Sequence, residues 1–296
     1  MGGEVEITEQ KKPRFLCLHG FRTSGHILKT QLQKWPEFVV DKLDLVFPDA
    51  PFPCTGKSGV DGIFDPPYYE WFQTNQDFKE YTNFDECLDY IQECMIKHGP
   101  IDGLLGFSQG AFLSAALPGL QAKGLALTKV PKIKFLIIIS GGKLHKKALS
   151  EKAFSEAISC PSLHILGEMD FLKPNGTELL ESFVNPIVIH HPKGHTIPRL
   201  DEKGLESVLS FIEKIQKEVT NQEDKLDLVF PDAPFPCTGI SGVDGIFDPP
   251  YYVWYQPNKE GVLFISCIAF TSQGFDSNKS TKNKISNYNQ RWQVKD

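Results

Sequence analysis

The sequence has no long hydrophobic run. Its longest apolar stretch, Val262 to Phe270, falls well short of the roughly 20 apolar residues that a membrane-spanning helix needs. The first residues, MGGEVEITEQKKPR, also lack the apolar core of a secretory leader, and acidic residues precede the basic ones. We therefore expect neither a membrane span nor export.

Positive charge is scarce as well. Lys and Arg number 31 against 37 Asp and Glu, which leaves a net charge of −6. A chain without an excess of basic residues lacks the positive electrostatic potential that attracts phosphate backbones or anionic lipid. This balance predicts that nucleic acid is not a partner.

Paired cysteines are missing too. The seven cysteines are an odd number, and none of them forms a C-x-x-C pair or has zinc-like spacing. The pattern is typical of reduced thiols, so we expect neither a disulfide framework nor a metal site.

The chain does contain an internal copy. Residues 41–71 recur as 224–254, and 29 of these 31 positions are identical. A fold is indifferent to most surface residues, so this near-identity indicates copying of coding sequence and not a stacked repeat array. Beyond residue 261 the chain becomes rich in Asn, Lys and Ser. We predict one domain over 11–220 and an appendage over 221–296 that packs poorly and is largely disordered.

The remaining body alternates strand and helix patterns. Its apolar runs predict strands at 14–20, 43–47, 101–107, 132–139, 161–167 and 186–191. Amphipathic spacing predicts a helix from residue 27 until Pro36 disturbs it, and helices at 84–98, 111–123, 177–184 and 200–219. Repeated strand-helix units predict an α/β fold with a mainly parallel sheet and helices on both faces.

A serine motif lies between one strand and the next helix. Gly106-Phe107-Ser108-Gln109-Gly110 fits G-x-S-x-G, which presents a nucleophilic serine on a sharp strand-to-helix turn. Glycines two residues before and after the serine let the strand and the helix approach each other without a Cβ between them. The alternative is an ordinary glycine-rich helix start.

A serine nucleophile needs a base and a group that orients the base. His195 follows the last predicted strand in a Pro/Gly loop, HPKGHTIP, whereas His164 lies within a strand and is expected in the core. Asp170 lies just past the strand at 161–167 and is the predicted acid, with Glu168 as the second candidate. Either carboxylate could instead cap the next helix.

Two backbone amides are candidates for an oxyanion hole. Gln109 begins the helix after the serine, and Phe21 lies in the loop after the first strand, His19 to Gly25. Arg22 in this loop could bind an acidic substrate group or form a structural ion pair.

A long segment rich in Pro and aromatic residues, 48–72, follows the second predicted strand. Long segments without periodicity are often functional, and this composition favours an ordered flap over the site. We expect Tyr69 and Trp71 to contact the acyl group of a substrate, the alternative being a self-packed surface loop.

These motifs, in the order FLCLHGFRTSG, PDAPFP, LLGFSQGA, LGEMD and HPKGHTIP, resemble the FSH group of eukaryotic serine hydrolases over roughly residues 11–219. The resemblance implies an α/β-hydrolase fold, hydrolysis of carboxylic esters without a cofactor, and a location in the cytoplasm or nucleus. It also implies a triad of Ser108, Asp170 and His195. The expected substrate is a small-molecule or lipid-like ester, and the sequence gives no oligomeric state.

Two other functions stay open. Acyl-protein thioesterases and lysophospholipases share the GFSQG elbow, although the HGFR loop and the PDAPFP flap favour the FSH group. A hydrolase-fold binding protein, in which the tail or the flap blocks turnover, is the alternative from another class.

Overall fold

The computed structural model of the chain describes residues 12–223, except 55 and 78, together with the short segments 235–236 and 252–253. The chain divides into two units, Met1–Lys225 and Leu226–Asp296. Most of the predicted appendage lies outside the described residues. The expectation that it is largely disordered therefore stays a prediction.

The described residues contain twelve strands, of which six form one sheet. The strands are β1 Arg14–Leu18, β2 Asp44–Val46, β3 Phe52–Cys54, β4 Tyr68–Glu70, β5 Gln73–Thr74, β6 Tyr81–Thr82, β7 Gly103–Phe107, β8 Phe135–Ile139, β9 Ser162–Gly167, β10 Ile187–His191, β11 Phe235–Pro236 and β12 Tyr252–Val253.

Seven helices accompany these strands. They are α1 Gly25–Leu32, α2 Glu37–Val40, α3 Phe84–His98, α4 Gln109–Ala122, α5 Lys147–Ala153, α6 Lys173–Leu180 and α7 Glu202–Glu223.

The central sheet has the order β10-β9-β8-β7-β1-β2, and every pairing in it is parallel. Its inner strands are apolar without alternation because both of their faces are covered. Side chains from α3 to α6 share one hydrophobic cluster with one face of the sheet, and side chains from α1, α2 and α7 share a second cluster with the other face. The predicted α/β-hydrolase sheet with helices on both faces is confirmed.

Most predicted elements lie within a few residues of their predicted bounds, but α5 was not predicted and the helix before β10 is shifted. The helix predicted at 84–98 is α3. The helix predicted at 177–184 instead begins at Lys173 and ends at Leu180, because Pro174 occupies the first turn. Proline is tolerated there, since the first amides of a helix have no intrahelical partner.

The predicted flap has strands of its own. β3 and β4 form an antiparallel pair in which Phe52 lies opposite Glu70 and Pro53 lies opposite Tyr69. In the second unit, β11 and β12 pair in the same register, with Phe235 opposite Val253. The described residues of the copied segment therefore repeat the pairing of the original.

Among the described residues, no helix combines the length and the apolar character that crossing a membrane would require.

His164 lies in the core of the sheet, as the sequence predicts. It is wholly buried on β9, its Nε2 lies 3.1 Å from the Ser162 hydroxyl, and its ring meets Phe183 edge-on. Its Nδ1 has no hydrogen-bond partner among the described residues. Burial lowers the pKa of His164 to about 4, so the imidazole is neutral in the folded protein at neutral pH.

This burial predicts a loss of stability in acid. Between pH 6.5 and about 4 the unfolded chain binds a proton at His164 that the folded chain does not, so the free energy of unfolding falls as pH falls. We expect His164→Leu to reduce the slope of the free energy of unfolding against pH by about 1 kcal/mol per pH unit near pH 5. Urea titrations of both proteins between pH 7 and pH 4.5 measure this difference. Identical slopes in the two proteins would contradict a buried neutral His164.

Candidate active site

The three residues of the predicted triad all follow strands at the carboxyl edge of the sheet. Ser108 follows β7, Asp170 follows β9, and His195 follows β10. The carboxyl ends of parallel strands meet at one edge, which is where open α/β sheets place their ligands. Strand order therefore brings together side chains that are far apart along the chain.

Ser108 has a strained backbone. Its φ of 53° and ψ of −119° lie in a region that residues with a side chain rarely adopt. The flanking glycines allow this turn: a Cβ at Gly106 would lie 2.4 Å from the Gly110 carbonyl oxygen, and one at Gly110 would lie 2.0 Å from the Leu18 oxygen. The two glycines therefore have the steric role that the motif predicts.

Hydrogen bonds join the three predicted residues in one chain. The Nε2 atom of His195 lies 2.9 Å from Ser108 Oγ, and Nδ1 lies 3.0 Å from both carboxylate oxygens of Asp170. With Asp170 ionised, Nδ1 donates to the carboxylate, which leaves Nε2 to accept from the serine hydroxyl. Phe107 stacks on the imidazole at 5.1 Å between ring centroids.

The carboxylate of Asp170 is buried and well paired. Its side chain is 1% exposed, and one oxygen accepts from the Leu172 amide at 2.8 Å. Burial raises the pKa of this carboxyl, but hydrogen bonds and the nearby His195 outweigh burial and leave its pKa below the usual value. Ser140 is a further group near this carboxylate, and its buried hydroxyl has no well-aligned hydrogen bond among the described residues.

Glu168, the second candidate acid, lies elsewhere. Its carboxylate pairs with Lys173 and with His190, and its side chain is 44% exposed. The hydrogen bond from Lys173 lowers the pKa of Glu168. The structure thus places Asp170, and not Glu168, next to His195.

The loop after β1 lies against the serine. A Cβ at Gly20 would lie 3.5 Å from the Cβ of Ser108, and Phe21 is the next residue. On the other side, Gln109 is the first residue of α4, and the first amides of a helix have no intrahelical acceptor. Both amides predicted for the oxyanion hole thus belong to segments that border Ser108.

His19 organises this loop, a role that its place in the sequence does not reveal. It is fully buried, with Nδ1 2.8 Å from the Gly20 oxygen and Nε2 accepting from the Ala50 amide at 2.9 Å. Burial lowers the pKa of His19 to about 4, which keeps the ring neutral. A neutral ring can both donate and accept, as these two contacts require.

Trp71 ties the flap to the elbow. Its indole Nε1 donates to the His19 carbonyl at 2.9 Å, and its backbone amide donates to the side-chain oxygen of Gln109 at 3.1 Å. The Gln109 side-chain nitrogen donates to the Phe72 carbonyl at 2.9 Å. Trp71 has no exposed surface, so it supports the loop, and its predicted contact with substrate stays a prediction.

Tyr69 is half-buried in the flap. Its amide donates to the Thr23 carbonyl at 2.7 Å, which joins β4 to the loop after β1. The structure thus places Tyr69 beside the loop that carries Phe21. Its contact with substrate also stays a prediction.

Arg22 forms a structural ion pair. Its guanidinium contacts the buried Glu70 carboxylate at 2.7 Å and donates to the Lys57 carbonyl at 3.1 Å. The Ser58 hydroxyl donates to the Arg22 carbonyl at 2.6 Å. Of the two roles considered for Arg22, the structure shows the one that anchors the loop to the flap.

In the part of the chain that the structure describes, no three or more His, Cys, Asp or Glu side chains are grouped so as to hold a metal ion.

Comparisons with known proteins place this chain in a family. A family model described as serine hydrolase (FSH1) matches residues 8–206. Esterase CG5412 of Drosophila melanogaster is 32% identical over 232 residues, which cover 74% of this chain and 80% of that protein. Human esterase OVCA2 is 28% identical over 211 residues, which cover 65% of this chain and 92% of that protein.

Among solved structures, the crystal structure of esterase PE8 is similar with a TM-score of 0.45 and 22% identity, and the match covers 71% of this chain and 95% of that chain.

The predicted resemblance is confirmed by the match to the family model. The esterases among the relatives support the prediction of an enzyme that hydrolyses carboxylic esters. The chain belongs to the FSH1 family of serine hydrolases.

Proposed function

We propose that the chain hydrolyses carboxylic esters with Ser108 as nucleophile, His195 as general base and Asp170 as the group that orients the base. The observation that carries this proposal is the hydrogen-bond chain from Ser108 Oγ through both nitrogens of His195 to the carboxylate of Asp170. A hydroxyl is a weak nucleophile at neutral pH, and this arrangement supplies the base that activates it.

The first half of the reaction forms an acyl-enzyme. His195 Nε2 takes the proton of Ser108 as Oγ attacks the ester carbonyl, and the negative charge moves to the carbonyl oxygen. The amides of Phe21 and Gln109 stabilise this oxyanion. When the bond to the alcohol breaks, His195 returns the proton to the leaving oxygen.

Water completes the cycle. His195 deprotonates a water molecule, which attacks the acyl carbonyl, and the proton then passes to Ser108 as the acid leaves. Asp170 keeps the imidazole in the tautomer with the proton on Nδ1 and stabilises the imidazolium that forms in both halves. The low pKa of Asp170 keeps it ionised for this role at neutral pH.

The flap contributes to substrate binding and to support. We assign Tyr69, which is half-buried beside the loop after β1, to the acyl side of the substrate. Trp71 acts through the His19 carbonyl and positions the loop that carries the Phe21 amide. The proposed substrate is a small-molecule or lipid-like ester. The location in the cytoplasm or nucleus stays a prediction.

The activity is assigned to one domain. We place all of the proposed residues within 11–220 and propose that 221–296, including the copied segment, adds no second site. The copy lacks the elbow, the acid and the base.

The nucleophile has a direct test. We expect Ser108→Ala to lose ester hydrolysis to near the background rate and to lose labelling by a fluorophosphonate probe, because the reacting oxygen is gone. Hydrolysis of an activated acyl ester and in-gel labelling measure the two effects. Ser114 is a buried serine of α4, the helix that follows Ser108, and Ser114→Ala is the matched control. This variant should keep both ester hydrolysis and labelling by the probe. Full turnover by Ser108→Ala would contradict the proposal, and an unlabelled native chain would favour a binding protein.

The two carboxylates after β9 offer a matched pair. We expect Asp170→Asn to lower kcat about 10³-fold to 10⁴-fold, since an amide cannot hold the imidazole in the required tautomer. Glu168→Gln should change kcat less than threefold, because Glu168 pairs with Lys173 and His190 and not with the base. Steady-state kinetics on one ester compares the two. Equal losses in both variants would contradict the assignment of the acid.

A further inference from the structure

Two large apolar side chains flank the proposed acid and face solvent. Met169 and Phe171 lie on either side of Asp170, and each is 72% exposed. Exposing a phenyl ring to water is unfavourable, and ordinary packing would bury it. A ring held in the open next to reacting groups is a candidate for contact with substrate.

Phe171 is in contact with the base itself. Its ring centroid lies 4.6 Å from the centroid of the His195 imidazole, and the two ring planes make an angle of 43°. One part of the phenyl ring packs on the imidazole while most of its surface stays exposed.

The loop that carries this ring is held in place. The carboxylate of Asp170 accepts from the Leu172 amide, and the Asp170 carbonyl accepts from the Lys173 amide at 3.0 Å. The Met169 amide donates to the Lys193 carbonyl at 3.2 Å, which joins the acid loop to the loop of the base. The position of Phe171 is therefore set by the same contacts that set the position of Asp170.

The chemistry decides which part of a substrate meets this ring. The proton that His195 takes from Ser108 must pass to the oxygen of the leaving alcohol, so that oxygen must come within hydrogen-bond distance of Nε2. The carbonyl oxygen points instead toward the amides of Phe21 and Gln109. The carbon atoms attached to the leaving oxygen consequently lie at the imidazole, where Phe171 is exposed.

We propose that Phe171 forms a subsite for the alcohol group of the ester and favours apolar leaving groups. This inference rests on the proposed function. It assigns specificity on the alcohol side to the acid loop, separately from the acyl side, which is assigned to the flap.

Esters that share one acyl group test the subsite. Methyl, butyl and hexyl acetate all give the same acetyl-enzyme. Differences in kcat/KM among them therefore arise from the steps up to acylation, in which only the alcohol group differs. We expect the full-length chain to prefer the hexyl ester. Phe171→Ala should lower the ratio of kcat/KM for hexyl over methyl acetate about fivefold to tenfold, the lower end of what apolar contacts contribute to specificity.

Two variants serve as controls. Phe171→Leu keeps an apolar surface and should give a ratio between those of the native chain and Phe171→Ala. Phe38→Ala removes an equally apolar ring, 55% exposed on α2 before the amino end of β2, and should leave the ratio at the native value.

Three results would overturn the subsite. The first is a native chain without preference among the three alcohols, and the second is an unchanged ratio in Phe171→Ala. The third is a loss of kcat/KM in Phe171→Ala that is equal for all three esters and comes with a shifted pH profile of kcat/KM. That result would make Phe171 a positioning residue for His195. Failure of the proposed function is separate, because it appears as activity that survives in Ser108→Ala.

Discussion

The close approach of α4 to the end of β1 is the constraint on which the site depends. Gly110 lies so near the Leu18 carbonyl that any side chain would collide with it, and its amide donates to the His19 carbonyl at 3.1 Å. This contact holds the first turn of α4 beside the loop after β1. Beside this contact, the turn between strand and helix adopts the strained conformation at Ser108, which presents the hydroxyl at the edge of the sheet.

The loop that borders Ser108 is stabilised mainly from the flap. The His19 carbonyl accepts from Gly110 on the elbow and from the indole of Trp71 on the flap, and the His19 ring bridges Gly20 and Ala50. Leaving a buried polar group unpaired is costly, so each of these contacts restricts where the loop can lie. The proposed oxyanion hole requires donors that are fixed before the reaction, and this network holds the loop that carries the proposed Phe21 donor.

The proximity of the proposed catalytic residues could be predicted because the sequence limits where such side chains can lie. A G-x-S-x-G turn after an apolar strand, a carboxylate after a later strand and a histidine after the last one lie at the same edge of a parallel sheet. The structure brings Ser108, Asp170 and His195 within hydrogen-bond distance there. The start of α6 was less predictable, since Pro174 is read as a breaker unless it falls in the first turn.

The supporting residues could not be predicted in the same way. An aromatic-rich flap does not reveal whether a ring faces substrate or core, and Trp71 lies wholly in the core. The ion pair of Arg22 with Glu70 and the bonds from Gln109 to the flap join residues 37 to 48 positions apart. Sequence spacing carries no signal for such contacts, because they depend on how the flap folds back over the loop.

In the proposed mechanism, a strained serine, an oriented base and two fixed amides meet at one point. The most direct measurement is a crystal structure of the full-length chain after reaction with a fluorophosphonate, whose phosphoryl oxygen stands in for the oxyanion. We expect a covalent bond to Ser108 Oγ and a phosphoryl oxygen about 3 Å from the amides of both Phe21 and Gln109. An adduct on another residue, or an oxygen that points away from both amides, would contradict the proposed mechanism.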